Sequence, residues 1–115
     1  MTEAIDTREL PALIIGYLAA HQARDLDAAL ACYTEDAVVT DEGHTHRGKR
    51  EIRDWLARAA SQYTYTTTLV AAHRDDDRHY VAVHHLEGDF PGGVVDLRFR
   101  FTLDGDHIAA LVIEP

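Results

Sequence analysis

Three residues of this chain have the types and surroundings that acid/base chemistry on a small molecule needs: Asp41, Tyr17 and His84. Asp41 ends the apolar run Val38-Val39-Thr40, where burial would raise its pKa and make the carboxylate a usable base. It reads equally as an exposed acid opening a loop with Glu42 and Gly43. Tyr17 stands on an apolar helical stripe, either as a core tyrosine whose hydroxyl reaches the rim or as a donor to a ligand. His84 alternates with Tyr80, Ala82 and Leu86 and so shares one strand face with them. A neutral imidazole there could shuttle a proton or hold a substrate oxygen, or simply bond to Tyr80 or a water.

Other polar groupings read more plainly. His44-Thr45-His46 lies near Asp41 and Glu42 but has no third ligand at a diagnostic distance, so no metal site is expected. Asp75-Asp76-Asp77 lacks the glycine and the distal glutamate of a calcium loop and reads as a solvated turn. Gly92-Gly93 follows Pro91 with no helix after it, which makes a turn rather than a phosphate cradle. No cofactor motif is present, and the chemistry outlined above requires no cofactor.

Those residues need elements to hold them. Leu10, Leu13, Ile14, Tyr17, Leu18 and His21 recur on a 3.6-residue period, a first amphipathic helix with Asp6 or Thr7 as N-cap. Arg24-Asp25 breaks the pattern, and Asp25 can cap a short second helix carrying Leu26, Ala29, Leu30 and Tyr33 inward. A short strand, 37–41, and a polar loop, 42–48, precede a third helix with Ile52, Trp55, Leu56, Ala59 and Tyr63 on one face. The period then changes to two, in four strands: Thr64–His73, His79–Glu87, Val94–Leu103 and His107–Glu114. In the third of these, Val95, Leu97, Phe99, Phe101 and Leu103 face the helices, while Asp96, Arg98 and Arg100 face away.

Helices first and antiparallel strands afterwards give an α+β fold: three N-terminal helices on one face of a curved, mostly antiparallel sheet, in one domain over 1–115. Apolar residues make up 46% and charged residues 27%, as in ordinary globular chains. With 20 acidic against 11 basic residues the net charge is -9, which repels phosphate backbones and argues against nucleic acid as a partner. Cys32 is the lone cysteine, so no internal disulfide forms. Met1 to Asp6 lacks a basic flank and an apolar stretch, and no apolar run approaches the roughly 20 residues of a membrane helix. The reading is a cytoplasmic protein without membrane contact.

The stretch from Tyr17 to Asp41, with its Arg24-Asp25-Leu26-Asp27 corner, Tyr33 and Glu35-Asp36-Ala37, resembles the first third of ketosteroid isomerase and its SnoaL-like relatives. Arg47-Gly48 through Trp55 is similar to the start of that family's third helix, and the likeness spans nearly the whole chain. The resemblance, to the nuclear transport factor 2-like superfamily, implies a cone-shaped, cystatin-like α+β barrel with a central pocket. It places Tyr17 on the family's oxyanion-hole tyrosine and Asp41 on its proton-abstracting aspartate. Some dehydratases of the superfamily pair an aspartate with a histidine, which implies a role for His84. Leu97 falls where ketosteroid isomerase has a second, protonated aspartate; Asp96 is one residue off and needs a β-bulge to reach the pocket. Expected to face a ligand are Tyr33, Trp55, Tyr80, Leu86, Leu97, Phe99 and Phe101. The resemblance implies a small apolar, oxygenated ligand or substrate, turned over by isomerisation, dehydration or polyketide-type cyclisation. The alternative is a non-catalytic ligand-binding or interaction domain. Family members commonly pair through the outer sheet face, so a homodimer is expected.

Overall fold

The computed structural model describes residues 2–62 and 65–115. The expected α+β arrangement is present. Strands β1 (Glu3–Ile5), β2 (Tyr33–Asp41), β3 (His44–Arg47), β4 (Tyr65–Arg74), β5 (His79–Gly88), β6 (Val94–Asp104) and β7 (His107–Glu114) form a single sheet. Their order is β1-β4-β5-β6-β7-β2-β3, antiparallel throughout except for the β2–β7 pair. Register shifts in β4 between Leu69 and Ala71, and in β7 at Ala109 opposite Thr102 and Leu103 of β6, add the local twist that curves a sheet. Helices α1 (Ala12–Gln22), α2 (Leu26–Ala31) and α3 (Gly48–Gln62) pack on its inner face.

Alternation along β6 behaves as the sequence suggests. Phe99, Phe101 and Leu103 are buried against the helices, whereas Arg98 and Arg100 are exposed on the far side. Ile14, Tyr17 and Ala20 bury the α1 face, and Ile52, Trp55 and Leu56 bury the α3 face. Full burial of each large apolar side chain contributes roughly 1.5–3 kcal/mol. Tyr63, expected on the α3 face, and Thr64, expected to open β4, lie outside the described residues.

Three local expectations differ from the structure, and one strand is additional to them. The N-cap Asp6 closes a single 3-10 turn over Thr7–Glu9, with a reciprocal capping box to Glu9, rather than starting α1. Pro11 is the reason: it drives Leu10 to extended backbone (ψ 144°), so the α-helix starts only at Ala12. Tyr33 opens β2 instead of closing α2, because α2 ends at Ala31 with Cys32 as its C-cap, and the Cys32 carbonyl accepts the Ile108 backbone N–H at 2.7 Å. The segment 42–48 is not a loop. Glu42 (φ 53°) and Gly43 (φ 76°) form a two-residue turn with positive φ at both positions, and β3 pairs back on β2. Strand β1, which pairs with β4, has no counterpart in the sequence reading.

Candidate functional site

Asp41 closes β2, where the tight turn after it ends the strand and leaves its side chain half-buried. The Trp55 indole Nε1–H, from the inner face of α3, donates to Asp41 Oδ2 at 2.9 Å. Trp55 in turn stacks on His46 of β3, with ring centroids 6.0 Å apart and 28° between planes. Together with Glu42, His44 and Arg58 these residues line a cleft of about 670 Å³.

His84 lies elsewhere. Buried at 6% exposure on β5, it opposes Leu97 of β6 and packs its ring 4.6 Å from Phe99. Its Nδ1 is sealed from solvent and has no hydrogen-bond partner among the described residues. Burial, with the neighbouring His21 as a like charge, pulls its pKa down to about 4, so the ring is neutral at physiological pH. His84, Leu86 and Phe99 line a second cavity of about 470 Å³, together with the end of α1, the start of α2 and Thr66 and Thr67 of β4. Leu18, Leu26 and Leu56 give this cavity an apolar flank.

Tyr17 sits between the two. It is fully buried, and its hydroxyl accepts a hydrogen bond from the Tyr33 hydroxyl. Burial raises the pKa of both phenols, and the Asp41 charge acts on Tyr17 in the same direction. Because Tyr33 is the donor, the Tyr17 proton remains free for another acceptor. Phe101 packs edge-on against Tyr17 at 5.9 Å.

The sequence reading put His21 on the α1 stripe with Tyr17 but gave it no part in the site. One turn after Tyr17 on α1, its ring lies 5.8 Å from Tyr17, 5.9 Å from Trp55 and 6.2 Å from Phe99. It lines the 470 Å³ cavity. Burial lowers its pKa, against the pull of the Asp41 carboxylate. His21 and Trp55 thus form the partition between the two cavities. The signal was available, since an (i, i+4) spacing from Tyr17 puts both rings on one helix face.

Three groups singled out from sequence therefore surround one aromatic seam without sharing one cavity. Asp41 opens on the 670 Å³ cleft, His84 on the 470 Å³ cavity, and Tyr17 is enclosed in the wall. Of the expected ligand-facing residues, Leu86 and Phe99 line the smaller cavity and Trp55 the cleft. Tyr33 and Phe101 are closed in the core behind Tyr17, and Tyr80 and Leu97 are partly buried against it. Asp96 does not reach the interior. Strand β6 runs against β5 without a register shift, and the exposed Asp96 carboxylate sits 2.6 Å from His85 Nδ1 on the outer face. No group of three or more metal-ligating side chains comes together among the described residues.

Residues 14–111 match the SnoaL-like domain family. A candidate polyketide cyclase from Sinorhizobium meliloti is 30% identical, with a TM-score of 0.87 over 96% of this chain and 100% of that one. A ketosteroid isomerase-like protein from Catenulispora acidiphila, solved with trimethylamine, is 20% identical over 91% of this chain and 85% of its own, with a TM-score of 0.78. A Mycobacterium tuberculosis protein solved with estradiol-17β-hemisuccinate is 16% identical over 90% of each chain, with a TM-score of 0.73. The likeness to the last two is one of fold. No curated protein matches the chain. No helix among the described residues is long and apolar enough to cross a membrane. A match across most of the length, carried on a helix-lined curved sheet with an internal cavity, makes this chain a member of the SnoaL-like family with a nuclear transport factor 2-like, ketosteroid isomerase-like fold.

Proposed function

We propose that the protein binds a small, largely apolar, oxygenated molecule in the 470 Å³ cavity and transforms it by acid/base chemistry without a cofactor. The supporting observation is the titratable seam. The Asp41 charge acts on both Tyr17 and His21, and His21 acts on His84, all within one aromatic interior. Asp41 Oδ2 is held by Trp55, which leaves Oδ1, without a partner among the described residues, to take a proton.

In this reading Asp41 removes a proton from the carbon next to a carbonyl. Tyr17, its own oxygen held by Tyr33, donates to the oxyanion that develops, and the neutral His84 orients the substrate oxygen. The enolate then takes that proton back from Asp41 at another carbon, expels a hydroxyl group that picks up the Asp41 proton and leaves as water, or attacks a second carbonyl carbon whose oxygen receives the Asp41 proton. These are isomerisation, dehydration and cyclisation respectively. Reaching Asp41 and Tyr17 from the cavity requires the His21–Trp55 partition to yield when ligand enters. The candidate cyclase at 30% identity and the steroid ester bound by the Mycobacterium tuberculosis protein support the substrate class.

A second reading, ligand binding without turnover, is favoured by the enclosed Tyr17 and by Leu97 opposite His84, an apolar wall in place of a second carboxyl group. Asp41→Asn separates the two. Under the catalytic reading turnover of a responsive substrate falls by about 10²–10⁴-fold while ligand affinity holds. Turnover equal to wild type would remove Asp41 from the chemistry. We further propose that two copies pair through the outer face of β4 to β7, and that the protein works in the cytoplasm.

A further inference from the structure

Arg24 follows the end of α1 in left-handed backbone, at φ 59°. Its N–H donates to the His21 carbonyl at 3.2 Å, and the Asp25 N–H donates to that of Ala20 at 2.9 Å. This is the helix stop that favours glycine, because a side chain in left-handed backbone costs roughly 1 kcal/mol. An arginine held there carries a strain that glycine would relieve, and such strain is a pointer to function.

The side chain itself is exposed and lines the 470 Å³ cavity. Among the described residues it is the one arginine or lysine in that lining, and His21 and His84 are both pushed toward the neutral form. No carboxylate among the described residues forms an ion pair with it. The acid beside it in the lining, Asp25, accepts the Ala28 N–H on Oδ1 at 3.2 Å as the cap of α2. At the buried end of the same cavity, His84 has its Nδ1 shut away without a partner among the described residues. That leaves Nε2 as the ring nitrogen able to meet a ligand, and it donates when the neutral ring carries its proton there.

Resting on the reading of this cavity as the ligand site, we infer that Arg24 selects its ligands: apolar molecules with a carboxylate at one end and a neutral oxygen acceptor at the other. Arg24 grips the carboxylate at the rim through paired N–H groups, and the His84 Nε2–H meets the neutral oxygen inside. The apolar body lies on Leu18, Leu26, Leu56 and Phe99. The chain as a whole carries a net charge of -9, so an anion is drawn to this rim only by Arg24 itself.

The test compares two fluorescent probes of matched shape, 1-naphthaleneacetate and 2-(1-naphthyl)ethanol, by titration into the whole protein. Wild type binds the carboxylate about 10-fold more tightly than the alcohol, the size expected of one charge-assisted contact. Arg24→Gly removes that preference, keeps the affinity for the alcohol, and melts no lower than wild type because the backbone strain is gone. Arg24→Lys retains part of the preference. Equal affinities in wild type, or a preference that survives Arg24→Gly, would overturn the role of Arg24 and leave the cavity as the ligand site. Binding of neither probe would overturn both.

Discussion

Protonating His84 would put a cation between Phe99 and Leu97, with the imidazole of His21 nearby as a like charge. Folding therefore competes with proton uptake. The folded-state pKa, about 4, lies below the value near 6.5 of an unperturbed histidine. As pH falls, the unfolded chain binds this proton first, so His84 contributes fully above pH 6.5 or so. That contribution declines as pH falls toward 4 and is gone below it. The whole window is worth about 3 kcal/mol. Urea unfolding of wild type between neutral and mildly acid pH shows the decline, and His84→Gln shows a shallower one. His21, whose burial acts in the same sense, is present in both proteins, so the difference between the two slopes reports His84 together with its coupling to His21. Parallel slopes would mean that the ring accepts its proton in the folded state without penalty.

Elements decide where such residues end up, and the β2–β3 hairpin is the clearest instance because it fixes Asp41 at its corner. Its turn requires positive φ at Gly43, and a Cβ there would meet open space, so the cost of Gly43→Ala is purely one of backbone conformation. The denaturation midpoint should drop by the equivalent of about 1 kcal/mol with the denaturant slope unchanged; an unmoved midpoint would show that the hairpin does not rely on this turn. The same segment shows what can be read from a sequence. The α1 stripe and the β6 alternation were legible because burial on one face writes a period into the residues. His44-Thr45-His46-Arg47 carries no apolar alternation, since β3 is an edge strand largely in water, so the hairpin was hidden. Tyr33 fitted the helical spacing and was assigned to α2, whereas its backbone belongs to β2. For the site, side-chain type picked out Asp41, Tyr17 and His84. The partition between them depends on how Trp55 and His21 pack across helices, a tertiary contact that no local spacing encodes.

For the whole molecule, the proposed dimer turns on what the outer sheet face offers. Val70, the extra residue at the β4 bulge, is 53% exposed and Val94 is 54% exposed, while Val83 and Val112 are only partly covered. Charges on this face are largely paired within the chain. His85 Nδ1 lies 2.6 Å from Asp96, and Arg100 Nε donates to Glu114 at 2.6 Å. A face of apolar residues with internally paired ions can be buried against its own copy without stranding a lone charge. Opposing this, two copies each carrying -9 repel one another, and salt screens that repulsion. Association should therefore tighten as ionic strength rises, the reverse of what an interface held by ion pairs between copies would show. Sedimentation equilibrium at micromolar concentration should give twice the 12.9 kDa chain mass. Val94→Asp, which adds an unpaired charge to the same face, should shift the protein to monomer without altering its circular dichroism. A wild-type monomer at every ionic strength would rule the dimer out and leave the exposed valines as ordinary surface.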